Sequence, residues 1–461
     1  MEETATVLLV LLGAAAALAF GAFAVVSVRE GEKRAAKIAW AAGGILGVLF
    51  FGAALLPAAV KLSLLALVGA AIALAAVLIL LPLGRVAAGA DTPQQLVDER
   101  DIMFARARLR PGSPEYASYY AMRPENRAGD DLTRSKPGLL SSGSQAFDPF
   151  LFAAAEASFD LTEAVRDRVG GPVAATRYDC PPPQMTAFIK GLAKYYGALD
   201  AGIARLQPYH VYSHVGRGSG AWGEPVRLDH SCAVAFTVEM DFQMIGANPA
   251  APGVMESARQ YVEAARVALQ LAGAIRRLGY DARAHIDGNY RVIAPLVARD
   301  AGLGEIGRMG LLMTPARGPR VRIGLVTTDL ELLPDARRPD PAVVDFCSVC
   351  KKCAVNCPSR SIPFDDRQQI DGALRWQIDA ETCYRYWRLV GTDCGVCMTV
   401  CPYSHPANWA HNMVRRAVSR SGCARRAAYW LDDFFYGRKP SPKPPPPWLA
   451  RAETSKSGKE R

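Results

Sequence analysis

Charge is missing from this chain where a membrane would notice it. Three tracts near its start, Thr6–Val28, Ile38–Val60 and Leu62–Gly84, hold no charged side chain. Histidine is also scarce: there are six, all beyond residue 200, so no tract can offer an imidazole to a haem. With neither charge nor histidine, the tracts exclude a proton path of their own and read as an anchor. No basic stretch or twin-arginine pair precedes the first tract, which opens on the acidic "MEET", so no export signal is expected there. Cysteine is absent before Cys180, and eight of the eleven crowd between 347 and 401. That excludes a scattered disulfide framework and fits a reducing compartment. No internal repeat is visible.

What is present begins with length. Each tract has 23 residues, and at about 1.5 Å per residue such a helix exceeds the ~30 Å hydrocarbon core. Three membrane spans are predicted within residues 1–85, with the lipid bilayer as a partner. Arg29, Lys33, Arg34 and Lys37 separate the first two tracts, only Lys61 separates the second and third, and Arg85 and Arg100 follow. The positive-inside rule then places the first loop and everything after Gly84 in the cytoplasm, on a multi-pass protein of the inner membrane. Much of the net charge of +10 lies in that loop and in the tail, so no nucleic-acid partner is expected.

Residues 86–150 are rich in turn formers ("RPGSPEY", "SKPGLLSSGS") and read as a linker wrapping onto the domain that follows. Residues 151–340 carry an α/β or α+β pattern. "AVAFTVEM" (233–240) and "VRIGLVTTD" (321–329) read as strands. Met255–Leu278 reads as a helix with Ala258, Tyr261, Val262, Ala265, Leu269, Ala272 and Ile275 on one stripe and Gly279 as its C-cap. Residues 341–410 form a cysteine-rich module, 411–436 a helical extension, and 437–461 a basic, proline-rich tail expected to be disordered.

The module contains Cys347-x2-Cys350-x2-Cys353-x3-Cys357-Pro and Cys383-x10-Cys394-x2-Cys397-x3-Cys401-Pro. Two-residue loops let three thiolates converge on one cluster, while the cysteine before proline turns away to the other. Cys347, Cys350, Cys353 and Cys401 are therefore assigned to one [4Fe–4S] cluster, and Cys357, Cys383, Cys394 and Cys397 to a second. Zinc ribbons use paired C-x2-C knuckles instead. The module relays single electrons. Its departure from a bacterial ferredoxin is the long first gap of the second motif, "YRYWRLVGTD". Cys180, Cys232 and Cys423 are left as thiols.

"AGLGEIGRMGLLMTP" (301–315) contains Gly302-x-Gly304-x-x-Gly307, formally a dinucleotide fingerprint. It does not open a first βα unit, so it is read as backbone approaching some other bulky, flat ligand, with Arg308 beside it.

This stretch, extended to "RDAGLGEIGRMGLLMTPARGPRVRIGLVTTDLEL" (299–332) and followed by "FCSVCKKCAVNCP" and "CGVCMTVCPYSHP", resembles the corrinoid-dependent reductive dehalogenases. Epoxyqueuosine reductase is a related architecture, but "GPRVR" (318–322), "EMDF" (239–242) and the membrane tracts look more like the dehalogenase branch. The resemblance covers roughly residues 150–410. It implies an α+β, nitroreductase-like core holding cobalamin, with the ferredoxin-like module beside it. Electrons would pass through both clusters to give Co(I), halide would leave an organohalide substrate, and a side chain would protonate the carbon. No D-x-H-x-x-G motif is present, which agrees with a base-off cobalamin. Tyr261 best matches the family's proton donor, tuned by Arg320 or Arg322 with Arg308 in reserve. A nearby cation is expected to lower the tyrosine pKa. Asp287 or Asn289 of "HIDGNY" would face the substrate. The electron donor would be a ferredoxin or a quinol-linked membrane partner. The alternatives are an epoxyqueuosine-reductase-like corrinoid enzyme and, from another class, a membrane-bound two-cluster electron carrier without corrinoid.

Overall fold

The computed structural model describes residues 2–81, 89–337 and 339–449, which form two compact units. One unit holds the N-terminal helices together with Pro341–Cys350 and Pro406–Ser441. The other holds the chain between the helices and Asp340, then Lys351–His405 and the residues from Pro442.

The apolar tracts fold as α1 (Glu2–Arg29), α2 (Lys33–Ala53) and α3 (Ala58–Leu80), each long and apolar enough to cross a membrane. Small residues let the first two touch. A Cβ added at Gly13 would lie 2.9 Å from Cβ of Phe50, and one at Gly43 would lie 3.0 Å from Cβ of Phe20, the close backbone approach that membrane helices use. The second break falls at Ala54–Pro57, earlier than the Lys61 boundary the charge pattern suggests. Pro57 disfavours helix in the residue before it and itself caps α3. Lys61 therefore sits in the first turns of α3, where its ammonium donates to Thr6 Oγ1 at 2.9 Å. Residues 82–84 of the third tract lie outside the described residues.

The second unit is built on an antiparallel sheet flanked by helices. In chain order it contains α4 (Pro149–Ala164), α5 (Pro182–Tyr195), β1 (Asp200–Arg205), β2 (Cys232–Glu239), α6 (Ala251–Arg277), β3 (Ala282–His285), α7 (Ala294–Asp300) and β4 (Val321–Thr328). The strand order is β1-β2-β4-β3, every pairing antiparallel. Val234, Phe236 and Val326 bury one face against Ala264, Ala268, Leu271 and Ile275 of α6. Ala233, Ala235 and Leu325 face α7 on the other side, the period-2 alternation of a sheet covered on both faces. Phe236 stands opposite Gly324, whose missing Cβ would lie 2.2 Å from the ring. Gly279 closes the end of α6 at φ +88°.

Residues 89–148 are tied down by buried charges. Glu99, fully buried, accepts from the backbone N–H groups of Gly216 (2.9 Å) and Arg217 (3.1 Å) and from Arg217 Nε (3.1 Å). Asp91 accepts from Arg299 Nη1 at 2.9 Å.

The cysteine region runs through α8 (Pro341–Cys350), α9 (Lys352–Asn356), the hairpin β5–β6 (Gln368–Ile370, Ala373–Arg375), α10 (Ala380–Val390) and α11 (Val396–Thr399). Helix α10 accounts for the long gap between Cys383 and Cys394: Cys383 lies in its first turn, and Gly391 ends it at φ +85°. Its last carbonyls are satisfied by the earlier loop, through Gly138 N–H to Arg388 O (2.9 Å), Ala146 N–H to Val390 O (2.9 Å) and Leu140 N–H to Gly391 O (2.9 Å).

Two more helices, α12 (Trp409–Arg420) and α13 (Gly422–Tyr436), return to the first unit, where they pack with α8 and with the ends of α2 and α3. The tail predicted to be disordered is partly ordered: Lys443 N–H donates to Gly246 O at 2.9 Å, and its ammonium lies 3.8 Å from the Phe242 ring centre. Gly246 leaves the space this strap needs. Residues 450–461 of the tail lie outside the described residues.

Candidate active site and cluster ligands

Helix α6 and strand β4 bring Tyr261 and Arg322 together. Arg322 shares the α6-facing side of β4 with Gly324 and Val326, so its guanidinium reaches over the Tyr261 ring, 3.9 Å from the centre. Its Nη2 donates to the Ser257 hydroxyl, one turn before Tyr261 on α6. Ser257 also hydrogen-bonds Asp393, the residue next to Cys394. Tyr290 and Asp287 are within electrostatic reach of the same pair.

Burial raises the Tyr261 pKa, and Arg322 only partly offsets it. The net direction is opposite to the lowering expected from the sequence, because the cation faces the ring while the phenol is desolvated. Burial likewise pushes the Asp393 carboxyl up, against Ser257 and Arg322. For Arg322, burial works against the charge, but Tyr261, Asp393, Tyr290 and Asp287 more than restore it. Tyr261, Tyr290 and Arg322 keep intermediate exposure although protein crowds them, which is the signature of a recess, and Asp287 beside them is also of intermediate exposure.

The other residues proposed from the sequence go elsewhere. Arg320 precedes β4 rather than sharing its face with Arg322. It is 1 % exposed, donates to Ser404 O (3.0 Å) and Glu239 Oε1 (2.9 Å), and also bonds Met240 O. Arg308 is fully buried, donates to Pro363 O and Asp365 O (both 2.7 Å), and lies over Trp376. Both are clamps between the sheet domain and the cysteine loops, not tuning cations. Asn289 is fully buried too: its amide donates to Arg166 O (2.8 Å) and Ser219 Oγ (3.0 Å), and its carbonyl accepts from Arg283 (2.7 Å). Asp287 is the member of that pair left at the recess.

The glycines have local reasons. A Cβ on Gly304 would lie 2.3 Å from Met313 O, across the small hairpin pairing Glu305–Ile306 with Leu312–Met313. Gly302 is left-handed at φ +76°, and Gly307 N–H bonds Leu311 O at 3.0 Å. At Gly304 the close approach is to the chain's own backbone.

Cys357, Cys383, Cys394 and Cys397 lie within one another's electrostatic reach, and Cys353 is within reach of Cys397. Left-handed turns at Lys351, Cys394 and Gly395 (φ +52°, +60° and +66°) fold the two-residue loops tightly. Cys347 and Cys350 lie on α8 and Cys401 just after α11. Asn248, 2 % exposed, presses on Gly395 between Cys394 and Cys397, and its amide N–H₂ and carbonyl have no hydrogen-bond partner among the described residues. A convergent thiolate set with an orphaned buried donor fits an iron–sulfur cluster, whose sulfurs accept hydrogen bonds. The recess beside Tyr261, where Arg322 Nε is buried with no partner among the described residues, fits a ligand that brings its own acceptors.

Sequence reasoning missed Tyr290, Ser257, Asp393 and Asn248. Tyr290 follows "HIDGN" directly, and Asp393 ends the unusual gap before Cys394. Both positions carried a signal. Ser257 and Asn248 had none, since only folding brings them to the site.

Residues 346–405 match the model of the 4Fe-4S dicluster domain. The chain is 33 % identical over 225 residues to the tetrachloroethene reductive dehalogenase of Desulfitobacterium hafniense, covering 46 % of this chain and 40 % of that one. With the enzyme of the same name from Sulfurospirillum multivorans it shares 31 % over 293 residues, 56 % of this chain and 58 % of that one. In structure it is similar to the catabolic reductive dehalogenase NpRdhA, solved with 3-bromo-4-hydroxybenzoic acid. The TM-score is 0.61 at 25 % identity, covering 78 % of this chain and 49 % of the other. The chain spans about half the length of the relatives it matches. It is homologous to the reductive dehalogenases, which are oxidoreductases, and it carries a 4Fe-4S dicluster domain.

Proposed function

We propose that this homologue of the reductive dehalogenases is itself one: a corrinoid- and iron–sulfur-dependent enzyme carried on its own membrane helices. The overall conversion is R–X + 2 e⁻ + H⁺ → R–H + X⁻, with an organohalide as substrate. A base-off cobalamin, when bound, supplies the electron pair that displaces halide, and two [4Fe–4S] clusters supply single electrons from a ferredoxin or a quinol-linked donor. The eight cysteines hold the clusters in the two sets read from their spacing.

The remaining work falls to side chains. Tyr261 keeps its proton at neutral pH because burial raises its pKa, as a general acid requires. It delivers that proton to the carbon that loses halide, and Arg322, already over the ring, steadies the tyrosinate left behind. Asp393 and Ser257 hold Arg322 in place. Asp287, at the recess, orients the substrate. Helices α1–α3 anchor the enzyme in the inner membrane, with the catalytic unit on the cytoplasmic side.

The observation that carries the reading is the Arg322–Tyr261 contact, linked through Ser257 and Asp393 to the residue beside Cys394. The test is anaerobic purification from a corrinoid-supplied host, followed by assays of iron, corrinoid and halide release from a panel of organohalides. Two four-iron clusters, one corrinoid per chain and halide release are expected. Full iron without corrinoid after reconstitution would leave a membrane electron carrier and overturn the proposal.

A further inference from the structure

Helices α12 and α13 carry large apolar side chains that the protein leaves bare. On α13, Trp430 is 69 % exposed and Phe434 56 %, with Leu431 beside them; on α12, Trp409, Met413 and Val414 are similarly open. The opposite faces are buried, through Ala410, His411 and Val418 on α12 and Ala424, Arg425 and Asp432 on α13. Exposed apolar rows of this kind mark a surface that meets something.

Their place in the fold says what. Both helices dock at one end of the span bundle, where α1 ends, α2 begins and α3 ends. Glu30, just after α1, lies 3.0 Å from His411 Nε2 and also holds the Asn408 amide. Arg34 of α2 donates to Phe434 O at 3.3 Å, Phe23 of α1 meets Phe435 edge-on at 5.2 Å, and Ser421 donates to Leu78 O of α3 at 2.5 Å. The pair therefore lies level with the ends of helices long enough to cross a bilayer. Exposed Arg416, Arg420 and Arg426 accompany the aromatic rows, complementary to anionic headgroups.

We infer that α12 and α13 are interfacial helices, seated in the headgroup layer of an anionic leaflet with Trp409, Met413, Trp430 and Phe434 in the acyl boundary. Tryptophan beside apolar and basic side chains on a short amphipathic helix suits that layer. The inference rests on the reading of α1–α3 as spans. The catalytic chain thus meets the membrane through a surface plate as well as through its anchor.

The test places a photoreactive benzoylphenylalanine at position 430, 434 or 67, or at the exposed Tyr195 of the other unit, in the full chain. Each variant is reconstituted in vesicles of phosphatidylethanolamine and phosphatidylglycerol. Lipid adducts are expected at 430, 434 and 67 and not at 195, with several-fold lower yield at 430 when Arg416→Glu, Arg420→Glu and Arg426→Glu are combined. Adducts at 67 without any at 430 or 434, or adducts there to a second copy or another protein, overturn the inference and leave the spans standing. Absence of lipid adducts even at 67 overturns the span reading, and the inference with it.

Discussion

Burial and the Arg322 cation act on Tyr261 in opposite senses, and burial is the larger. The phenol is a reserve of proton rather than a ready anion. Tyr261→Phe is expected to lower the rate of halide release by about 10²–10⁴-fold, the usual worth of a general acid, with iron and corrinoid content unchanged. In the wild type the rate should hold through neutral pH and fall only above the ordinary tyrosine value of about 10, because a raised pKa keeps the acid form to higher pH. Arg322→Met removes a group that pulls the pKa down, so its alkaline limb should move further up while kcat drops. Arg320→Met should act differently: it strips partners from Glu239 and Ser404 and should lower the melting temperature while sparing kcat per folded molecule. Asn248 makes a separate prediction. If its amide donates to a cluster sulfur, it favours the reduced, more negative cluster, so Asn248→Leu should shift the midpoint potential of the second cluster downward in an EPR titration. An unchanged potential would remove Asn248 from that role.

At the scale of elements, the sheet unit is pinned by carboxylates whose pKa values are held low. Burial works to raise the Asp300 pKa, but hydrogen bonds from His210, Arg299 and Tyr209 outweigh it and hold it well below the carboxylate range; at Asp91, Arg337 and Arg299 likewise outweigh burial. A depressed folded pKa means the stabilisation is complete above the unfolded value near 4 and is lost as pH falls toward the folded one. Acid should therefore loosen residues 91–101 and α7 first, measured as hydrogen exchange in detergent between pH 5 and pH 3, and Asp300→Asn should show that loosening already at pH 7. Much at this scale was legible beforehand. The α6 stripe, β2, β4 and the cysteine spacing are periodic or local, so neighbours in sequence decide them. What was not legible depends on where an element begins. Arg320 and Arg322 look alike two positions apart, but only Arg322 lies within the strand, so one becomes a clamp and the other stands over Tyr261. Asp287 and Asn289 part because Asp287 sits in the turn after β3, while Asn289 pairs back with Ile286 and is buried among Arg166, Ser219 and Arg283. Nor does the sequence say what approaches Gly304, because a close backbone approach has the same signature whether the visitor is a ligand or, as here, Met313.

For the whole molecule, the span bundle is more than a tether, since α12 and α13 fold against it and α8 packs on them. Deleting residues 2–81 should expose the faces of α12 and α13 that now meet α2 and α3, and the shortened chain should aggregate unless detergent is supplied, as sedimentation would show. A stable, detergent-free monomer would contradict that packing. The loop that finishes α10 has a consequence in time. Gly138, Leu140 and Ala146 donate to carbonyls of residues 388–391, which a ribosome working at roughly 5–20 residues per second delivers some ten to fifty seconds later. For that interval the loop waits with its donors turned to water. The second cysteine motif cannot take its final shape until early and late chain meet, so iron that arrives sooner finds a site still under construction.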